Sequence, residues 1–287
     1  MEQLIKLQKC LEMSGLKAET CESYTYKIKA FLKSINKDAE EITLDDIQEF
    51  LRELRYKREY CIGTVNGYRN ALKYFYEVVL EKQWSDKKIP RLRGYAPLPS
   101  VLSKEEVVEF IELMPNDLYK VILYTMYSSG LRVGEVVEIK VKDIDSKRMQ
   151  IYIPKSKNGS ARYAILSRRC LNMLRHHVLQ YKKKYGYKFL PDDYLFPSNR
   201  NESGHITKKT IKNNITKVAD KYCTNKKITS HTLRHSFATH MLEAGASIFE
   251  IKELLGHRAI QSTNVYLHIA SPGLMNIKSP FDGDMIS

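Results

Sequence analysis

Over the first 83 or so residues, apolar side chains recur every three or four positions: Leu4, Leu7 and Leu11, then Ile28, Phe31, Leu32 and Ile35. That is the helical period, and no alternating run competes with it, so this part of the chain is predicted to be all helix. Thr43 opens a helix in TLDDIQEFLREL, with Asp45 and Asp46 in the first turn, where the helix dipole favours negative charge. Another helix is expected from Thr64 to about Lys82, turning Val65, Tyr68, Leu72, Phe75 and Val79 toward a core. Its aromatic stripe reads as packing. From Ser85 to Ser100 the run SDKKIPRLRGYAPLPS loses the period and gathers Pro, Gly and basic residues that cannot propagate a helix, as expected of a linker.

The pattern then becomes mixed. Ser103 and Glu106 have capping-box spacing, and a long apolar helix should run from about Asp117 to Ser128. MQIYIP and ARYAIL alternate apolar with polar positions and are joined by KSKNGS, whose Asn158-Gly159 signals a β-hairpin. From Cys170 onward helical spacing returns. Thr229 or Ser230 opens a helix stopped by Gly245, and Ser247 with Glu250 opens the next, which ends at Gly256. Ser262 or Thr263 could cap a short helix presenting Tyr266. The predicted fold is therefore mainly α with a small β-hairpin or sheet. A helical domain spans residues 1–84, a basic linker 85–100 and an α+β domain 101–287, with no internal repeat.

A length of 287 residues agrees with two domains. No run approaches the roughly 20 apolar residues of a membrane span, and the N-terminus lacks a signal-peptide core. A cytoplasmic protein without membrane association is expected. Cys10, Cys21, Cys61, Cys170 and Cys223 are scattered with no CxxC pair, and no Cys, His or carboxylate cluster has metal-ligand spacing, so neither a metal nor a cofactor is expected.

Charge changes the picture most. With 47 basic and 33 acidic side chains the formal net charge is +14, which calls for a polyanionic partner, because Lys and Arg neutralise phosphates and release counterions. Residues 1–100 hold only 18 basic against 15 acidic side chains, so most of the excess lies beyond them. Still, Arg52, Arg55, Lys57, Arg58, Arg69 and Lys73 cluster over two predicted helices, where a solvated face and a DNA contact are equally good explanations. Lys87, Lys88, Arg91 and Arg93 of the linker could track a phosphate backbone.

Four short signals carry possible chemistry, each weak by itself. His231 and Arg234 lie three apart on one helix face, pairing an imidazole that titrates near neutrality with a guanidinium able to grip phosphate. His257 follows the terminator Gly256, and Tyr266 stands nine positions on, one tyrosine among 19. In GLRVGEV, Gly130 ends one helix and Arg132 begins the next with Glu135 on the same turn, an arrangement that a surface ion pair would also explain. Lys157 sits at the hairpin tip, where a lysine is ordinarily just solvated.

Taken in order, G-L-R-x-x-E, the hairpin lysine, H-x-L-R-H, L-G-H and the tyrosine nine residues later resemble the catalytic signature of the tyrosine recombinase, or phage integrase, family. The motifs cover about residues 103–270, and the helical first domain and linker are similar to the family's SAM-like core-binding domain, which with the catalytic domain forms a clamp on DNA. The resemblance implies that Tyr266 is the nucleophile, that Arg132 and Arg234 grip the phosphate, and that His231 and His257 are the two box histidines. It also makes Lys157 the hairpin lysine and Glu135 the support of the first arginine. Val136 departs from the family's usual Leu, and Lys155 competes with Lys157. Lys157 is preferred by counting back from Arg162 and the strand Ala164–Leu166.

The resemblance further implies a site-specific recombinase acting through a 3′-phosphotyrosyl intermediate and a Holliday junction. Its expected partner is double-stranded DNA carrying inverted-repeat core sites, bound as a homotetramer on two sites, with a related recombinase or an excisionase as a further partner. Integration or excision of a mobile element and Xer-like dimer resolution both fit. The chain starts almost directly with the core-binding helices, so no additional arm-site domain is expected. A type IB topoisomerase shares the tyrosine chemistry, and a DNA-binding regulator would explain the charge alone. The helical first domain and the HxLRH box favour the recombinase.

Overall fold

A computed structural model describes residues 2–35, 37–94, 98–154, 161–199, 203–222 and 226–269. The chain divides into two compact units, residues 1–96 and 97–287.

The first unit is helical: α1 (Glu2–Met13), α2 (Ala18–Ile35), α3 (Leu44–Tyr56) and α4 (Ile62–Tyr74). Thr43 caps α3 as expected. Its hydroxyl accepts from the Asp46 amide while the Asp46 carboxylate takes the Thr43 N–H at 2.9 Å, a reciprocal cap worth about 1 kcal/mol. The expected helix over 64–82 begins two residues earlier and changes character at its end, where Phe75–Val79 widens into a π-helical turn and Glu81 takes a positive φ of 56°. Phe31, Phe50 and Tyr68 meet edge to face at centroid distances of 5.0 and 5.8 Å in the core of this unit. The aromatic stripe is indeed packing.

The expected linker needs correction in its first half. Trp84 and Ile89 are buried in the first unit's core, and the Asn66 side chain clasps the backbone of Leu92 at 3.0 Å through both its amide nitrogen and its oxygen. Residues 85–94 are non-helical, but Ile89, with Trp84 just ahead of the stretch, is enough to dock them.

The second unit holds α5 (Lys104–Glu112), α6 (Asp117–Ser129), α7 (Val133–Val137), a sheet of β1 (Ile144–Asp145), β2 (Gln150–Ile153) and β3 (Arg162–Ile165), then α8 (Arg168–Tyr185), α9 (Lys208–Ala219), α10 (Ser230–Glu243), α11 (Ile248–Leu255) and α12 (Gln261–Asn264). The sheet is antiparallel in the order β1-β2-β3, with Ile144 opposite Ile151 and Ile153 opposite Arg162. β1 is an addition to the predicted hairpin; two residues are too few to show a period. The hairpin tip, with Lys155 and Lys157, lies outside the described residues.

Helix α10 runs through the middle of this unit. Leu233, Ser236, Ala238 and Thr239 are all buried, and the Ser236 hydroxyl accepts the Leu102 N–H at 3.0 Å. Gly130 ends α6 at φ 63°, and a Cβ there would stand 2.5 Å from the Phe237 ring. Only glycine satisfies both the left-handed turn and that approach. The expected capping of α12 by Ser262 or Thr263 is not found: Ile260 occupies the cap position without a side-chain bond, and Thr263 is buried.

Candidate active site

Glu135 is the hub of the site. Its side chain is 5 % exposed, and its Oε1 accepts from Arg132 Nη1 at 2.8 Å while Oε2 accepts from the Arg132 amide and from Arg162 Nη2, each at 2.8 Å. Arg234 Nη1 lies 3.8 Å from the same Oε2. The helix-opening box of α7 thus serves twice: Glu135 caps the helix through the Arg132 backbone and orients the Arg132 guanidinium.

Arg234 is fixed from two further sides. Its Nη1 donates to the Gly130 carbonyl at 2.7 Å and its Nη2 to the Leu255 carbonyl at 2.5 Å, the orphan acceptors at the ends of α6 and α11. Burial first, then the neighbouring Arg132, pull this guanidinium down to about 9, which leaves it charged at neutral pH. Gly256 ends α11 at φ 63°, and a Cβ there would stand 2.8 Å from Arg162 Cδ and Nε, so the terminator also makes room for the third arginine. Three guanidiniums around one carboxylate leave a net positive, largely dry site, the electrostatic form that an anionic phosphoryl group requires.

Tyr266 is 1 % exposed, on the 3₁₀ turn Val265–His268 that continues α12. Burial raises its phenol pKa, while Arg234 and Arg132 oppose the rise. Its ring lies parallel to His257, at 6.5 Å and 15°. The His257 Nδ1 is 2.9 Å from the Thr263 hydroxyl, which explains why Thr263 is buried and not a cap. Tyr266 Oη is 3.0 Å from Nδ1 of His235. His231 is an exposed residue of the first turn of α10, its ring 6.3 Å from that of His235.

The structure thus brings together Arg132, Glu135, Arg234, His257 and Tyr266, and places His231 one helical turn before His235 on α10. Sequence reasoning missed Arg162, His235 and Thr263. Strand alternation in β3 turns Arg162 toward Glu135, a signal the hairpin pattern contains, and His235 directly follows Arg234 inside the HxLRH box. The third omission had no signal, since only tertiary packing joins Thr263 to His257.

Of the ten expected DNA contacts, Arg69 is corrected. It is buried, donates from Nε to the Ile89 carbonyl at 2.9 Å, pairs with Asp86 and lies over Trp84, so it holds the docked stretch to α4. Lys73 shares Asp86 with it. Arg52, Arg55, Lys88 and Arg93 line a groove of about 410 Å³ whose wall also includes Arg69, whereas Lys57, Arg58, Lys73, Lys87 and Arg91 do not line it. Arg52 pairs with Glu49 on its own helix, Arg58, just past the end of α3, with Glu53, and Lys88 with Asp45.

Burial, followed by the charges of Arg234 and Arg132, lowers His257 to about 4; burial, followed by His231 and Arg234, does the same to His235. In the unfolded chain both return to about 6.5. Between these values the unfolded state binds more protons, so stability is lost as pH falls through the window. The thermal midpoint is expected to drop from pH 7 to pH 5, and His257→Asn should flatten that slope. An unchanged slope would contradict the buried, neutral imidazole.

Comparison with known proteins shows the family. Residues 100–271 match the Phage integrase family, and residues 4–86 match the phage integrase N-terminal SAM-like domain. A putative integrase/recombinase of Sinorhizobium fredii is 31% identical over 96% of this chain and 87% of its own length. Tyrosine recombinase XerA of Pyrococcus horikoshii is 31% identical over 92% of this chain and 88% of its own. Among solved structures, XerA recombinase aligns with a TM-score of 0.54 at 27% identity, covering 96% of each chain. A lambda integrase dimer bound to a core site shares the fold, with a TM-score of 0.72 at 20% identity over 100% of this chain and 98% of that one. The chain belongs to the phage integrase family of tyrosine recombinases. It is an enzyme of site-specific DNA recombination.

Among the described residues no group of His, Cys, Asp and Glu could hold a metal ion, and no helix is long and apolar enough to cross a membrane.

Proposed function

We propose that this recombinase cleaves DNA by attack of Tyr266 on the scissile phosphate, forming a 3′-phosphotyrosyl bond and releasing a 5′-hydroxyl. Arg132, Arg234 and His257 hold the non-bridging oxygens, Lys157 protonates the leaving 5′-oxygen and His231 assists proton transfer near the nucleophile. The observation that carries this reading is the buried Tyr266 beside a Glu135-centred set of three arginines. Because the ester energy is kept in the covalent bond, a partner strand's 5′-hydroxyl can reverse the step without ATP. Four copies acting on two inverted-repeat core sites would exchange strands in pairs through a Holliday junction. The groove lined by Arg52, Arg55, Lys88 and Arg93 would contact the DNA backbone.

The test is strand exchange between two core sites with EDTA present. The arginine and lysine cations supply the charge stabilisation, so activity should survive the chelator; cleavage abolished by EDTA and restored by Mg²⁺ would overturn the mechanism. Relaxation of supercoils without exchange would instead indicate a topoisomerase.

Lys157→Ala should slow cleavage of a normal phosphodiester by about 10²-fold or more, the usual size of general-acid catalysis. A substrate with a bridging 5′-sulfur should be nearly unaffected, because a thiolate leaves without protonation. Equal slowing on both substrates would reduce Lys157 to a backbone contact, and selective rescue of Lys155→Ala would move the assignment by two residues.

A further inference from the structure

We infer that His235 is a positioning residue for the nucleophile: its Nδ1 takes the hydrogen bond of the Tyr266 phenol and thereby fixes where the attacking oxygen lies. The inference rests on the tyrosine-transfer reading and adds to it a residue that reading leaves without a role.

Tyr266 needs an external support. It stands on a four-residue 3₁₀ turn following a four-residue helix that has no side-chain cap, so its own element holds it weakly. His235, by contrast, sits in the middle of α10. Arg234 beside it is bonded to the ends of α6 and α11, and Ser236 on its other side bonds Thr232 O and Leu102 N. The phenol is thus tied, across 31 residues of sequence, to the best-anchored helix of the unit. The His235 ring lies 5.6 Å from the Tyr266 ring at 51°, and His257 lies parallel to Tyr266 at 6.5 Å.

The protonation states suit this bond. Burial, His231 and Arg234 keep the His235 imidazole neutral at physiological pH, so one ring nitrogen is an acceptor; an imidazolium would have none. The phenol, raised by burial, keeps its proton and donates it. A nucleophile misplaced by about 1 Å can lose about 10²-fold in rate, so the orientation of this oxygen matters to the reaction.

Single-turnover formation of the covalent complex on a nicked suicide substrate is the test. His235→Ala should slow it by about 10- to 100-fold with the DNA dissociation constant little changed, while the thermal midpoint falls only by the about 2–4 °C that loss of one buried hydrogen bond brings. His235→Asn, whose Oδ1 can accept the same bond, should recover to within about fivefold of wild type, a rescue that a purely space-filling role would not predict. The loss should persist on the bridging 5′-sulfur substrate, because the defect is on the nucleophile's side. Wild-type speed in His235→Ala, or His235→Asn as slow as His235→Ala, would overturn the inference. Wild-type protein in the same assay reports separately on the tyrosine-transfer reading. The contact itself can be read without DNA in ¹⁵N-histidine-labelled protein: Tyr266→Phe should shift the His235 Nδ1 resonance, and an unmoved resonance would also overturn the inference.

Discussion

Tyr266→Phe is expected to reduce covalent protein–DNA complex formation by about 10⁴-fold or more, the order seen when a covalent nucleophile is removed. Specific DNA binding should persist, because the substitution removes one oxygen and leaves Arg132, Arg162, Arg234 and Glu135 in place. Some stability should also go. The phenol is almost fully buried with its oxygen 3.0 Å from His235, so losing that bond costs about 1 kcal/mol. Gel-shift binding and a denaturing gel of the suicide-substrate reaction separate the two effects. Binding lost in parallel with cleavage would place Tyr266 in a structural role; a persisting covalent band would assign the nucleophile elsewhere.

Glu135→Ala should have the largest effect on stability. The carboxylate is bonded to Arg132 and Arg162 and stands 3.8 Å from Arg234, all with little access to water. Removing one partner of a buried ion pair typically costs about 3–5 kcal/mol, because the remaining charge is left without compensation. Here three guanidiniums would face one another. At about 2–4 °C per kcal/mol for a domain of this size, the thermal midpoint should fall by about 10 °C. Cleavage should fall as well, since Arg132 loses the bond that orients it. Glu135→Gln, which keeps the shape and one acceptor oxygen, should lie between. A midpoint within about 2 °C of wild type for Glu135→Ala would show that the arginines are held apart by other contacts, chiefly the Gly130 and Leu255 carbonyls.

Both results depend on features legible at different levels. The sequence alone determined the helical first unit, the caps at Thr43, Ser103 and Ser247, and the terminators Gly130 and Gly256, because each follows from a local rule of spacing or backbone conformation. The ordered motifs likewise singled out Arg132, Glu135, Arg234, His257 and Tyr266, which the fold gathers in one place. Local rules could not say that Ser85–Leu92 docks through Trp84 and Ile89, or that Arg69 is committed to that docking. They also could not show that His235 meets the phenol, or that Arg162 shares Glu135. Those facts depend on contacts between groups 17 to 31 residues apart, where chain connectivity sets no distance and only the tertiary packing within each unit does. Periodicity fixes which face of a helix is buried; which polar groups meet there is decided by the partner surface, as where His235 of α10 meets the Tyr266 hydroxyl one turn along from His231.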